Sequence, residues 1–276
     1  MQTRFSAVAA IALLFLTFGT AACGGGGGTR ILDPDPIVIP PPPPPPPPPP
    51  DPLPTLGSVT RIYAFGDSLT EGESKGQLFW GLHDHGTPGI STSYPFKLQV
   101  VLDAIYGDDK IHVYNGGRGG EKAGLSATRD RMVSEINQYD PHVVLFMHGV
   151  NDLNAGVQSG ADDDEIVEDA INAVEELIEV AKVTGSPRPH LMVGSLPRQI
   201  ATSKALSRHL IVPFNNSLAD VAEEEKVTFV DIYKVISEAL LMDDGLHITE
   251  TGNQKIADTF YAAIKAKYHR EPAAIR

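Results

Sequence analysis

Eleven consecutive prolines at positions 40–50 set the strongest limit on what this chain can fold into. Proline has no backbone N–H and a fixed φ, so such a run joins neither a helix interior nor a sheet ladder. It forms an extended polyproline rod, here about 34 Å long at about 3.1 Å per residue. Five glycines at 24–28 and the alternating Asp33, Pro34, Asp35 and Pro36 stand before it, and fifteen of the 23 prolines lie between 34 and 54. Neither composition can bury apolar surface, so the packed part of the chain must begin beyond them. Residues 58–268 are enough for one domain that buries about 70% of the surface its unfolded chain exposes.

What precedes the rod reads as an address. Residues 5–22 carry no charge, follow a lone basic residue, Arg4, and have an apolar heart at 7–18. This is a signal-peptide pattern, although the uncharged run also just reaches the length of an uncleaved membrane anchor. Thr20, Ala21 and Ala22 stand immediately before Cys23, the only cysteine, and the segment resembles a bacterial lipobox with Thr20 where leucine is usual. The resemblance implies lipidation of Cys23 and a place in the cell envelope. Gly24 carries no acidic retention signal, which favours the outer membrane where a cell has one. The expected plan is a signal peptide at 1–22, a lipidated cysteine with a glycine-rich and polyproline tether at 23–57, a domain at 58–270 and a tail at 271–276. A homopolymer of proline lacks the flanking side chains that PPII-binding domains read, so the rod is a spacer.

Charge and cysteine count exclude other classes. Twenty-two Lys and Arg against 35 Asp and Glu leave a formal charge of −13, and no basic cluster offsets it, so nucleic acid is not an expected partner. A single cysteine permits no intrachain disulfide and no cysteine-based zinc site. His83 and His85 flank Asp84, but no further ligand follows at a recognisable spacing, and no metal or other cofactor is expected.

After residue 58 short apolar runs alternate with longer amphipathic ones. The pattern predicts strands at 60–65, 110–114, 142–148, 190–195 and 227–231, each nearly continuous in apolar character, as strands covered on both faces are. Helices are predicted at 93–106, 122–138, 163–183, 203–225 and 249–268. In the third, Ile166, Val167, Ala170, Ile171, Val174, Leu177, Ile178 and Ala181 form one stripe, and the acids at 162–165 complement the helix dipole rather than forming a cation site. The alternation implies an α/β fold, a three-layer α/β/α sandwich on a mainly parallel five-stranded sheet. Ligands of such sheets bind beyond the carboxyl ends of the strands. Those ends carry Gly66, Asp67 and Ser68; Asn115 to Gly120; Gly149, Val150, Asn151 and Asp152; and, late in the chain, Asp244, Gly245, Leu246 and His247.

Acyl transfer by a serine needs a base in reach, a group that orients the base, and donors for the oxyanion. Ser68, His247, Asp244 and the groups around Gly120 and Asn151 supply candidates for each. The four blocks, in this order and at strand ends, resemble the SGNH (GDSL) hydrolase family across the whole domain. The resemblance implies a flavodoxin-like fold and a serine esterase with Ser68 as nucleophile, His247 as general base and Asp244 as its orienting partner. The oxyanion hole would come from the backbone N–H groups of Ser68 and Gly120 and the amide of Asn151. No Gly-x-Ser-x-Gly occurs in the chain, which argues against the nucleophile elbow of the α/β-hydrolases.

Asp67, Trp80, Arg118 and His148 are candidate contacts to substrate. For Asp67 a loop-organising role, and for His148 a satisfied strand-end histidine, are the plainer readings. The connection at 73–93, with Phe79 and Trp80, and two segments at 154–161 and 197–203 are expected as loops around the site. The expected substrate is an acyl ester, of a small molecule or a polysaccharide. O-acetyl-polysaccharide esterase and lysophospholipase or thioesterase are neighbouring readings. A carbohydrate-binding protein without turnover is the rival from another class, and it should have lost one of Ser68, Asn151, Asp244 or His247.

Overall fold

A computed structural model describes residues 53–74, 77–78 and 90–272, all within one compact unit spanning Pro50–Arg276. The signal-peptide pattern, Cys23, the polyproline run, Trp80 and His83 to His85 lie outside the described residues. The chain enters the sheet on β1 (Arg61–Gly66) and turns through the short helix α1 (Ser68–Glu71). A small antiparallel pair, β2 (Glu73–Ser74) and β3 (Gln77–Leu78), comes next. Then follow α2 (Tyr94–Tyr106), β4 (His112–Gly117), α3 (Ser126–Tyr139) and β5 (Val143–Met147). The remainder is α4 (Val150–Ser159), α5 (Asp163–Val183), β6 (His190–Gly194), α6 (Ile211–Glu224), β7 (Thr228–Val230), α7 (Ile232–Val235) and α8 (Glu250–Tyr268), with 3-10 turns at Arg208–Leu210, leading into α6, and at Glu238–Leu240.

Five of these strands form one sheet in the order β4-β1-β5-β6-β7, and every pairing in it is parallel. Helices α2 and α8 pack together on one face, while α3, α5 and α6 line the other. All five residues of β5 are buried, because a strand in the middle of a doubly covered sheet meets apolar side chains above and below. The chain runs outward from β1 to β4 and then returns to the other side of β1 at β5. That reversal leaves a crevice at the carboxyl ends of β1 and β5.

The amphipathic helix at 163–183 lies at its expected bounds, with Asp162 as N-cap accepting the Asp164 N–H at 3.0 Å. Asp162 is thus the capping group, and Asp163, Asp164 and Glu165 fill the first turn, where negative charge complements the helix dipole. Other bounds differ for local reasons. The helix expected at 122–138 starts only at Ser126, because the Ala123 and Gly124 N–H groups bond the Asp152 carboxylate at 2.8 and 2.9 Å instead. The helix expected at 203–225 starts at Ile211, where Pro213 falls in the first turn and its missing N–H costs nothing. The strand expected at 110–114 runs on through Asn115, Gly116 and Gly117, paired in register with Ala64, Phe65 and Gly66. The loop expected at 154–161 is largely helix α4.

The packed chain begins slightly before residue 58. Thr55 forms an antiparallel bridge with Arg270 through bonds of 3.0 and 2.8 Å, and Leu56 and Val59 are buried. Among the described residues no helix is long and apolar enough to cross a membrane.

Candidate active site

Register brings the sequence blocks to one edge of the sheet. Gly66, at the end of β1, pairs with Gly117 on one side and Met147 on the other. Ser68, Gly120 and Asn151 follow these three positions by two, three and four residues, so all lie just beyond the carboxyl ends of adjacent strands. Asp244 and His247 reach the same edge from the loop before α8. A more apolar groove, of about 440 Å³ and lined in part by Leu53, Val59 and Tyr106, borders Thr60 at the opposite, amino end of β1.

Ser68 opens α1, whose N-cap is Asp67, with Oδ1 accepting the Leu69 N–H at 2.9 Å. The Ser68 hydroxyl lies 3.0 Å from His247 Nε2, and His247 Nδ1 lies 2.6 Å from Asp244 Oδ2. A carboxylate only accepts, so Nδ1 carries the imidazole proton and Nε2 is left to accept from the serine. Asp244 Oδ1 takes the Leu246 and His247 backbone N–H groups at 3.0 Å each, folding the four-residue loop around its own carboxylate. Burial alone would raise the Asp244 carboxyl, but the bonds from the His247 ring and these two amides outweigh it and hold it at about 2. It therefore stays ionised beside the imidazole. Lys204 Nζ stands 3.5 Å from the same carboxylate.

Gly120 adopts the left-handed region, φ +73°, which a side-chain-bearing residue rarely takes. Among the described residues no acceptor is bonded to the Ser68 or Gly120 N–H. Asn151 lies in the first turn of α4 and donates one amide hydrogen to the Glu121 carbonyl at 2.9 Å, which leaves the second to bond elsewhere. Gly120 and Asn151 line one cavity of about 390 Å³, with Leu246, the neighbour of His247, in its wall. This arrangement can hold a carbonyl against a hydroxyl whose proton has an acceptor, with N–H donors beside it to receive the charge that develops on oxygen.

The other candidates separate. Asp67 and His148 are 0% and 1% exposed, so neither presents a surface to substrate. Both lie beneath the site, as the N-cap of α1 and as a buried ring whose Nε2 is 3.4 Å from Glu121 Oε2. Arg118 is half exposed at the rim, 3.8 Å from Glu121. Sequence reasoning passed over a buried charged cluster here, formed by Glu121, Arg131 and Glu135. Its signal was available: Arg131 and Glu135 share the buried stripe of α3 with Met132 and Ile136, where charge is unexpected. Among the described residues no group of three His, Cys, Asp or Glu side chains is placed to hold a metal ion.

The three-layer α/β/α fold, with the four sequence blocks gathered at its strand ends, is that of an ester hydrolase of the SGNH type, and the family profile says the same. The chain belongs to the GDSL-like lipase/acylhydrolase family, whose sequence profile matches residues 64–255. Solved structures with this fold include an acetylxylan esterase from Geobacillus stearothermophilus, 20% identical with a TM-score of 0.57, the match covering 76% of this chain and 95% of that one. An aryl esterase from M. smegmatis is 19% identical with a TM-score of 0.59, over 75% of this chain and 99% of that one. No curated protein matches the chain in sequence.

Proposed function

We propose that the protein hydrolyses small to medium acyl esters through an acyl-enzyme on Ser68. His247 takes the hydroxyl proton as the oxygen attacks the ester carbonyl, and Asp244 stabilises the imidazolium that results. The carbonyl oxygen, now an anion, is received by the N–H groups of Ser68 and Gly120 and the Asn151 amide. His247 then protonates the departing alcohol, and a water activated by the same ring releases the acid. The observation that carries this reading is the unbroken series from Asp244 through His247 to Ser68, at 2.6 and 3.0 Å, beside backbone donors to which no acceptor is bonded among the described residues.

The test is hydrolysis of p-nitrophenyl esters from acetyl to palmitoyl. Ser68→Ala should abolish turnover while leaving thermal unfolding unchanged, and undiminished activity would sink the proposal. Asn151→Ala should raise the barrier by about 3–4 kcal/mol, and a change in kcat worth less than about 1 kcal/mol would remove Asn151 from the oxyanion role.

A second reading, esterase action on O-acetylated polysaccharide, is favoured by the cavity beside Gly120 and Asn151. Its remaining wall includes Lys122, Asn154, Gln158, Ser203 and Lys204, side chains that hydrogen-bond hydroxyl groups better than they cover an alkyl chain. The solved acetylxylan esterase acts on a substrate of this kind and shares the fold. Activity that peaks at acetyl and falls with chain length supports it, and a peak at long acyl chains overturns it. We also propose that Cys23 is lipidated and holds the enzyme at the cell envelope, a reading that rests on the N-terminal sequence alone. Metabolic labelling with a clickable fatty acid, lost in Cys23→Ala, is the check.

A further inference from the structure

We infer that Arg131 and Glu121 are positioning residues for ester hydrolysis, their buried ion pair holding the Gly120 N–H and the Asn151 amide where the oxyanion forms. The inference rests on the oxyanion assignment proposed above.

Glu121 is the shared neighbour of both donors. It follows Gly120 directly in the chain, its own N–H bonds the Arg118 carbonyl at 3.1 Å, and its carbonyl accepts Asn151 Nδ2 at 2.9 Å. Where the Glu121 backbone sits therefore decides where both donors point. Its side chain fixes that backbone from below. Arg131 Nε bonds Oε1 at 3.0 Å, Arg131 Nη2 pairs with Oε2, and His148 Nε2 lies 3.4 Å from the same oxygen. Burial alone would raise the Glu121 carboxyl, but hydrogen bonds from His148 and Arg131 hold it at about 2, so it is an anion at neutral pH.

Arg131 in turn reaches the strands on which the site is built. Its Nη1 donates to the Gly116 carbonyl at the end of β4, at 2.8 Å, and to Glu135 at 2.7 Å. Nη2 stands 3.5 Å from the Gly66 carbonyl, two residues before Ser68, and the guanidinium lies 3.9 Å from the centre of the Phe65 ring. His148 belongs to the segment that leads to Asn151. One cluster thus touches all three segments that carry the oxyanion donors. A buried ion pair is a poor source of stability, since apolar residues of similar volume often do as well. What a bidentate guanidinium supplies and an apolar pair does not is fixed geometry.

The test uses the whole chain with p-nitrophenyl acetate. Arg131→Met and the nearly isosteric Glu121→Gln are expected to lower kcat about tenfold to a hundredfold, the scale of a small misplacement. KM should change by less than about threefold. Arg131→Lys, which keeps one charged donor to Glu121, should recover part of the loss. In an Asn151→Ala background the effect of Arg131→Met should shrink by about fivefold or more, because one of the donors it positions is gone. A purely structural role would lower the unfolding temperature without that coupling in kcat. The inference is overturned if the variants fold and keep kcat within about twofold, or if the loss is the same with and without Asn151. Should Arg131→Met fail to fold, Glu121→Gln carries the same comparison. If Asn151→Ala alone leaves kcat unchanged, the oxyanion assignment falls and takes this inference with it. If Asn151→Ala costs rate and the other variants do not, the inference alone falls.

Discussion

Asp67 precedes the proposed nucleophile and is fully enclosed, yet only one of its oxygens is well used. Oδ1 caps α1, whereas Oδ2 has no hydrogen-bond partner among the described residues and stands 4.0 Å from His148 Nδ1. Burial pushes its carboxyl up to about 6, against the opposing pull of His148 and the Leu69 N–H. Between about pH 4 and pH 6 the folded protein then holds a proton that the unfolded chain has lost, so this residue makes stability fall as pH rises through that window. Asp244 and Glu121 have the opposite sign: their contributions are present above the ordinary carboxylate range and are lost as pH falls towards about 2. Asp67→Asn keeps the capping oxygen and removes the charge. It should stabilise the protein by about 1–3 kcal/mol at pH 8, with the gain vanishing near pH 4, as read by urea unfolding at the two pH values. A less stable variant at pH 8 would show that Asp67 is compensated as an anion. The sequence marked Asp67 as a loop organiser through the motif it belongs to, but its enclosure, with His148 from 81 positions away as the neighbour of its second oxygen, is a product of packing that no local pattern displays.

At the scale of elements, legibility followed how far local signals agreed with packing. Helix α5 was readable because its apolar stripe, its acidic cap and its burial all say the same thing. Helix α4 was not, since it starts after Gly149 at φ +114° with no side-chain cap and carries two asparagines, an aspartate and Gly156, all of which read as turn. Packing against α5 decides it instead, with Ile166 filling the space over Gly156. The two glycines that close β4 misled in the same way, because they look like loop and are paired strand. Gly117 is required there by close approach: a Cβ would stand 1.9 Å from the Glu71 backbone nitrogen and 2.4 Å from its Cα. Neither atom can yield without moving α1 and Ser68 with it. Gly117→Ala should therefore destabilise by about 3 kcal/mol or more and lower activity beyond the stability loss. A variant with wild-type melting and turnover would show that α1 is free to shift.

At the scale of the whole molecule, the site was legible because parallel order brings every strand end to one edge, so reading the residues after each strand reads the crevice. The buried cluster below it was not, because Glu121, Arg131 and His148 meet only once α3 has packed on the sheet. The same scale sets where the domain can be cut. A chain starting at Leu53 keeps the Thr55 bridge and should hydrolyse esters at the rate of the full chain. One starting at Arg61 loses Leu56 and Val59, 2% and 4% exposed, and should be less stable by about 3–6 kcal/mol. Equal urea midpoints for the two would mean that the leading segment adds nothing.

The bridge between Thr55 and Arg270 puts the entrance and the exit of the packed chain side by side, two hydrogen bonds apart. A domain whose ends meet in this way can be spliced into a surface loop of a host protein, both junctions occupying the footprint of a single turn, with neither partner's core opened to admit the other.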